Sequence, residues 1–228
     1  MTQIIGNPKK NNENLKKIIE NISINEKYIN NYLEFRDEIL LEINHEMSVL
    51  DIGKSMRDKY NKISCLNKKT LDINIFKDYP DYQFDLSEKQ NENSFHLYRK
   101  FDAIICLAVL EHVYNPFVAI DNIRSMLKDN GTLYGYVPFL FHYHAPKNLE
   151  FQDYFRFTKD ALSYLLKDFS EVTLYPVRGR ISSSMNILVG SIWKRFFEKF
   201  RVNQLIDKFS PSKKNIIQCS GYNFIAKV

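Results

Sequence analysis

With 228 residues, 44% hydrophobic and 14% aromatic, the chain is long enough to bury a full α/β core and too apolar to be intrinsically disordered. Its formal net charge of +5 comes from Lys and Arg scattered through segments such as NPKKNNENLKK; this reads as a solvated surface and excludes a nucleic-acid partner bound by a dedicated RNA- or DNA-reading module. Cys65, Cys106 and Cys219 lie too far apart for a disulfide framework or a metal cluster, and the absence of a secretory pattern or a membrane-length apolar run makes the cytoplasm the expected location.

Residues 1–12 read as a tail. From 13 to 44, Leu15, Ile18, Ile19 and Ile22, then Tyr28, Tyr32, Phe35, Ile39 and Leu40, recur at helical spacing and predict one or two helices. A tail and helical cap (1–45) thus precede the main domain (46–228). The character then changes. SVLDIGKS (48–55), TLDI (70–73) and FDAIICLAVLEHV (101–113) are short apolar runs, each ending in an acidic or glycine-bearing turn. Buried parallel strands read this way, and ligands of open α/β sheets collect at their carboxyl ends. YQFDLSE puts Asp85 at a turn, where capping a short helix is the alternative to ligand binding.

PFVAIDNIRSMLKDNG predicts a helix closed by Gly131 as C-cap, followed by a strand in TLYGYVPF. KDALSYLL predicts a helix behind Thr158 as N-cap, and EVTLYPV (171–177) and GYNFIAKV (221–228) predict strands. Between the last two, Met185, Leu188, Val189, Ile192, Trp193, Phe196 and Phe200 keep helical spacing, with Lys194, Arg195, Lys199 and Arg201 around them. This helical insertion at about 181–210 suits a helix packed on its own domain or across a homodimer. The alternative is a basic amphipathic helix, 182–208, making peripheral contact with the inner face of an anionic membrane.

The order and content of these segments resemble class I S-adenosylmethionine (SAM) dependent methyltransferases. The family loop D-x-G-x-G is matched by Asp51 and Gly53, with Ser55 at the second glycine. FDAIICLAVLEHV resembles the signature FD-x-I/V-x-x-x-x-V-L-E-H, with Glu111 and His112 at the strand's carboxyl end. The resemblance implies an α/β, Rossmann-like fold: a mostly parallel seven-stranded sheet of order 3-2-1-4-5-7-6, strand 7 antiparallel, with helices on both faces. It further implies that Asp51, Gly53, Ser55 and nearby amides hold the methionine end of SAM, Asp72 the ribose and Asp85 the adenine. Leu107 and Ala108, with Val109, would floor the sulfonium, whose charge is lost on transfer and which an apolar wall leaves poorly solvated. His112, placed with the cofactor-binding residues, would orient its neighbours, with a role as base the alternative.

A second block, VPFLFHYHAPKNLEFQDYFRFT, is similar to the P-F-x-x-x-x-H-x-x-P…D-Y-x-R-F/Y-T pattern of bacterial methyltransferases encoded with surface-polysaccharide and other glycan pathways. Pro138, Phe139, His144, Pro146, Asp153, Tyr154, Arg156, Phe157 and Thr158 carry the match. Methylating a hydroxyl removes its proton, so a base of near-neutral pKa is useful, and His144 and His142 are the candidates. Tyr143 and Tyr154 offer faces on which a sugar ring can stack. Arg156 suits a phosphate or carboxylate of the acceptor; the alternative is a structural ion pair between Asp153 and Arg156. No carboxylate or cysteine accompanies the histidine pair at ligand spacing, so no metal is expected. The rival to an enzyme is a noncatalytic methyltransferase-like binding or scaffolding subunit, motivated by Lys54, Ser55, Met56 and Arg57 where small residues are usual. A nicotinamide dehydrogenase fits less well, because the turn lacks G-x-G-x-x-G.

Overall fold

The protein is described from a computed structural model covering residues 13, 15, 16, 18, 22–29, 34–75, 77–90, 96–147, 151–188, 202–207 and 212–228. The described residues form eight strands, Ile22–Ile24 (β1), Ser48–Ile52 (β2), Asn67–Asp72 (β3), Tyr82–Gln83 (β4), Phe101–Leu107 (β5), Leu127–Pro138 (β6), Glu171–Val177 (β7) and Gly221–Lys227 (β8). They form one sheet in the order β1-β7-β8-β6-β5-β2-β3-β4. Every neighbouring pair is parallel except those of β8, which runs antiparallel to both β6 and β7.

Without β1 this is the expected order, read from β4 to β7. β1 itself is a correction, since Ile22 was placed in a helix. The Ile-Ser-Ile alternation instead extends the sheet at the β7 edge, where the Ser23 and Thr173 hydroxyls meet at 2.8 Å.

Alternation along the strands feeds two cores. Leu50, Ile52, Ile104 and Cys106 face one side, covered by Ala119, Ile120 and Ile123 of helix Pro116–Met126 (α2) and by Leu162 and Leu165 of Lys159–Leu165 (α3). Val49, Ala103, Ile105 and Leu107 face the other, covered by Phe35 and Ile39 of Glu34–Glu42 (α1). α2 begins as its sequence suggests, with Pro116 in the first turn and the Asn115 side chain accepting from the Val118 amide. It ends earlier than expected, at Met126. The amides of Arg99 and Lys100 donate to the Ser125 and Met126 carbonyls at 2.8 and 2.9 Å, so the chain entering β5 caps α2. Gly131 therefore lies within β6, and Asn130 takes the left-handed turn at φ 64°.

Among the described residues, two short helices, Arg180–Leu188 (α4) and Val202–Asp207 (α5), lie in the predicted insertion, and a third, Ser212–Ile217 (α6), follows it. Buried Asp207 ties it to the domain by accepting from the Gly179 and Ser182 amides. Val189, Ile192, Trp193, Phe196 and Phe200, with the basic residues among them, lie outside the described residues, as does the tail. No helix among the described residues is long and apolar enough to cross a membrane.

The turn after β2 depends on a buried carboxylate. Asp51, 1% exposed, accepts from the Ser55 hydroxyl and from the Met56 amide at 3.2 Å. Ser55 is 2% exposed and turned inward, so the serine at the second glycine position supplies a donor that glycine lacks. Burial outweighs these donors and raises the Asp51 pKa to about 6.

Two outcomes follow. A carboxyl whose folded pKa is raised stabilises the fold most when protonated, below its unfolded pKa, and that stability is lost as pH rises through about 6. Asp51→Asn should therefore gain on wild type by on the order of 2–3 kcal/mol between pH 4 and pH 7, read as the change with pH of the difference between their urea-unfolding free energies. An equal difference at both pH values would remove Asp51 as the titrating group. On β6, Gly135 pairs with Phe224 of β8, and an added Cβ would lie 1.9 Å from the Phe224 ring, which is fully buried. Gly135→Ala should cost roughly 1–3 kcal/mol, and Phe224→Leu in the same chain should recover part of it, as measured by denaturant midpoint.

Candidate active site

Because β2, β3, β4, β5 and β6 run parallel, their carboxyl ends share one edge, and the loops leaving them build the site. The chain reverses its direction across the sheet between β2 and β5, where open α/β sheets leave a crevice. Here the Gly53 turn meets Val109 closely: a Cβ on Gly53, which holds φ 67°, would fall 2.8 Å from Val109 Cγ2. Leu107 is buried at the end of β5, and Ala108 takes φ 58° with its amide on the Tyr136 carbonyl at 3.0 Å. A left-handed alanine costs roughly 1–2 kcal/mol, and such strain collects where a chain is shaped for a ligand.

On one side of this point stand two more of the expected carboxylates. Asp72, at the end of β3, accepts from the Asn74 amide through Oδ1 and from the Tyr79 hydroxyl through Oδ2, both at 3.0 Å. Lys54 Nζ lies over the Tyr79 ring, 4.2 Å from its centre, which draws that cation toward the Asp72 side. Asp85 accepts from the Ser87 amide at 2.8 Å in a local turn, with no helix following it among the described residues. Asp51 and the Ser55 hydroxyl face each other in the interior, so their part at this edge is to set the turn.

On the other side, the described residues between Phe139 and Phe157 return to the chain that leaves β5. The amides of Tyr154 and Phe155 donate to the Glu111 carbonyl at 2.8 and 3.2 Å, and that of Phe157 to the Pro138 carbonyl at 3.0 Å. This brings His144 against Glu111 and His112. The two imidazoles stand edge to face with centres 4.7 Å apart. His144 Nε2 is 3.6 Å from Glu111 Oε1, and its Nδ1 is 3.2 Å from Asp153 Oδ2. The Glu111 carboxylate raises the His144 pKa above the usual imidazole value against the lowering effect of burial, and Asp153 adds to the rise. His142, by contrast, is exposed and stacked on Phe141 with ring centres 4.3 Å apart.

Arg156 is spent on structure. Nε donates to the Phe141 carbonyl, Nη1 to Asp153 and the Phe155 carbonyl, and Nη2 to the His142 carbonyl and Asp153. All five guanidinium donors have acceptors, so the expected clamp on an acceptor phosphate would require giving up this staple. The same pairing holds Asp153 well below the ordinary carboxylate range, at about 2. Thr158 caps α3 as expected, accepting from the Ala161 amide at 3.1 Å. Tyr143 and Tyr154 remain open, 67% and 50% exposed, and Tyr114, 75% exposed, stands 6.1 Å from Tyr154, ring centre to ring centre.

Sequence reasoning missed Glu111 as a neighbour of His144. It was visible as the acid of the V-L-E-H ending, but the loop that places His144 on it closes through backbone hydrogen bonds that carry no sequence signature. A carboxylate at ligand distance, absent from the local sequence around the histidines, is thus supplied by another strand end.

Comparison with known proteins agrees with this architecture. Residues 24–167, more than half of the chain, match the methyltransferase domain family. Among solved structures, a SAM dependent methyltransferase from Archaeoglobus fulgidus is similar at 15% identity and TM-score 0.52, over 90% of this chain and 95% of that one. Phosphoethanolamine N-methyltransferase 2 of Haemonchus contortus, in complex with phosphomonomethylethanolamine and S-adenosylhomocysteine, is similar at 14% identity and TM-score 0.50, over 86% of this chain. The CurJ carbon methyltransferase is similar at 13% identity and TM-score 0.50, over 88%. The matches span 52% and 54% of those two longer chains. No curated protein matches the chain. At such identities the solved structures speak for the fold, and the family match carries the chemistry: the chain belongs to the methyltransferase domain family and is a SAM-dependent methyltransferase.

Proposed function

We propose that the protein methylates an oxygen, less readily a nitrogen, of a saccharide or other small precursor in surface-glycan assembly. The observation that carries this reading is the acceptor side of the edge, where a half-buried histidine sits against a buried carboxylate under a rim of exposed tyrosines. Flat amphipathic faces beside a group able to handle a hydroxyl proton suit a sugar ring.

SAM supplies an electrophilic methyl group on a sulfonium. The residues fit it: Gly53 has no Cβ where one would strike Val109, and Leu107 and Ala108 offer an apolar floor. Asp72 uses one lone pair of each oxygen on Asn74 and Tyr79 and keeps others for two ribose hydroxyls. Asp85 stands further along the same edge for the adenine. His144 faces the acceptor proton, His112 packs beside it, and the pair Asp153 and Arg156 holds the His144 loop in place. The noncatalytic alternative rested on the altered glycine loop. That loop has a physical account in the Asp51–Ser55 contact and in Lys54 lying over Tyr79, and no other observation favours it.

Isothermal titration calorimetry with SAM and S-adenosylhomocysteine tests the donor half. Micromolar binding is expected, weakened by roughly 1–3 kcal/mol in Asp72→Ala. A folded protein that binds neither would overturn it. For the acceptor half, turnover on sugar nucleotides should fall at least tenfold in Tyr154→Ala while S-adenosylhomocysteine affinity stays constant. Methylation of lipid or peptide amines with no activity on any saccharide would send the acceptor assignment elsewhere.

A further inference from the structure

Glu111 poses a problem that the methyl-transfer reading does not solve. Its side chain is 0% exposed, and neither carboxylate oxygen has a hydrogen-bond partner. A carboxylate buried without partners is costly enough that a fold seldom keeps one without a reason. The Nε2 atoms of His144 and His112 stand 3.6 and 3.8 Å from Oε1, beyond hydrogen-bond length.

The other nitrogen of each ring decides what those atoms present. His112 Nδ1 is 2.7 Å from the Gln152 carbonyl oxygen. His144 Nδ1 faces Asp153 Oδ2 at 3.2 Å and the His142 carbonyl at 3.3 Å. All of these partners only accept, so each neutral ring carries its hydrogen on Nδ1 and turns the Nε2 lone pair inward. With both rings neutral, three acceptors, two imidazole nitrogens and a carboxylate oxygen, converge with no donor among them; a metal ion and a proton on His144 Nε2 are the two ways to satisfy them.

We propose that Glu111, His112 and His144 bind a divalent transition-metal ion of the zinc class. Their ligand atoms all lie within 4.8 Å of one another. A tetrahedral ion with bonds of 2.0–2.2 Å needs ligand atoms roughly 3.3–3.6 Å apart, so the two edges to Glu111 must close by a few tenths of an ångström and the edge between the imidazoles, within 4.8 Å, by roughly 1 Å at most through rotation of the His144 ring. Two imidazoles and a carboxylate suit zinc and its neighbours rather than magnesium or calcium, which take oxygen. The outer contacts are those of metal-binding histidines: each Nδ1–H is held by a carbonyl or carboxylate, which fixes the tautomer and aims Nε2. Arg156 fixes Asp153 in turn.

Three protein ligands leave a fourth position open. The site deepens the methyltransferase reading, on which its catalytic use rests: an acceptor hydroxyl in that position would lose its proton to water more readily. The oxygen's electron pair would then form the new C–O bond while the S–C pair returns to sulfur. Metal binding itself does not depend on that use.

The test takes the full chain, stripped with a chelator and confirmed folded by circular dichroism. Zinc is titrated by calorimetry, and cobalt by visible absorption, where a four-coordinate nitrogen and oxygen site gives intense bands. A single equivalent of zinc should bind with micromolar or tighter affinity and raise the melting temperature. Glu111→Gln and His144→Ala should each weaken binding at least tenfold, and His45→Ala, on an exposed residue away from the site, should leave it unchanged. His144→Ala, on a loop, keeps the test valid if Glu111→Gln does not fold. Failure of folded wild type to bind either ion would overturn the site and leave a protonated His144 as the partner of Glu111; binding unchanged in both variants would overturn it equally. Titrating SAM with and without zinc separates the two readings. SAM binding without zinc binding removes the metal alone, whereas zinc binding without SAM binding removes the donor reading alone.

Discussion

The close approach of the loops leaving β2 and β5 is the constraint on which the rest of the site depends. The chain turns back across the sheet here, and Gly53 and Val109 meet with no room for another carbon between them. Only a residue without Cβ, at positive φ, lets the two strand ends come this near. The contact divides the working edge in two. Asp72 and Asp85 lie on the β3 and β4 side, and Glu111, His112 and His144 on the β5 and β6 side. Asp51 holds the turn from beneath, which is why a fully buried carboxylate is kept at the end of a strand otherwise made for apolar packing.

Much of this was legible in the sequence, because parallel strands covered on both faces read as continuous apolar runs. β2, β5 and β7 fall where those runs predict, and so does the antiparallel β8, which is buried between β6 and β7. What escaped prediction depended on partners far away in the chain. β1 has three half-exposed or exposed residues and gains its identity from pairing with β7. The end of α2 was assigned to Gly131 because a local rule expects glycine at a helix end, but amides of the incoming β5 segment satisfy the carbonyls instead.

The site shows the same division. Ser55 read as a missing glycine, because sequence does not reveal that Asp51 is buried and needs a donor. Arg156 read as a free clamp, since nothing local shows that five acceptors close around it. Glu111 was visible as part of a motif and His144 as part of another. Their juxtaposition follows from the backbone amides of residues 154 and 155 reaching the Glu111 carbonyl, and those amides look the same for any residue type.

Charge gives the two halves of the edge a common logic. Asp153 and Arg156 pair with each other, which leaves the buried Glu111 carboxylate facing the two imidazoles of His112 and His144. Low dielectric makes that charge felt over distance, and a sulfonium on the floor proposed at Leu107 and Ala108 would be drawn toward it. A divalent ion held by Glu111, His112 and His144 would reverse the sign and oppose the sulfonium until an acceptor alkoxide joined it. With the alkoxide in place, ion, carboxylate and acceptor sum to zero. Methyl transfer then removes the sulfonium and alkoxide charges together, leaving a neutral ether as a weak ligand that is free to depart. An arrangement of this kind would favour the methyl donor most strongly when the acceptor is bound and ionised, coupling the two sides through charge alone, with no moving part.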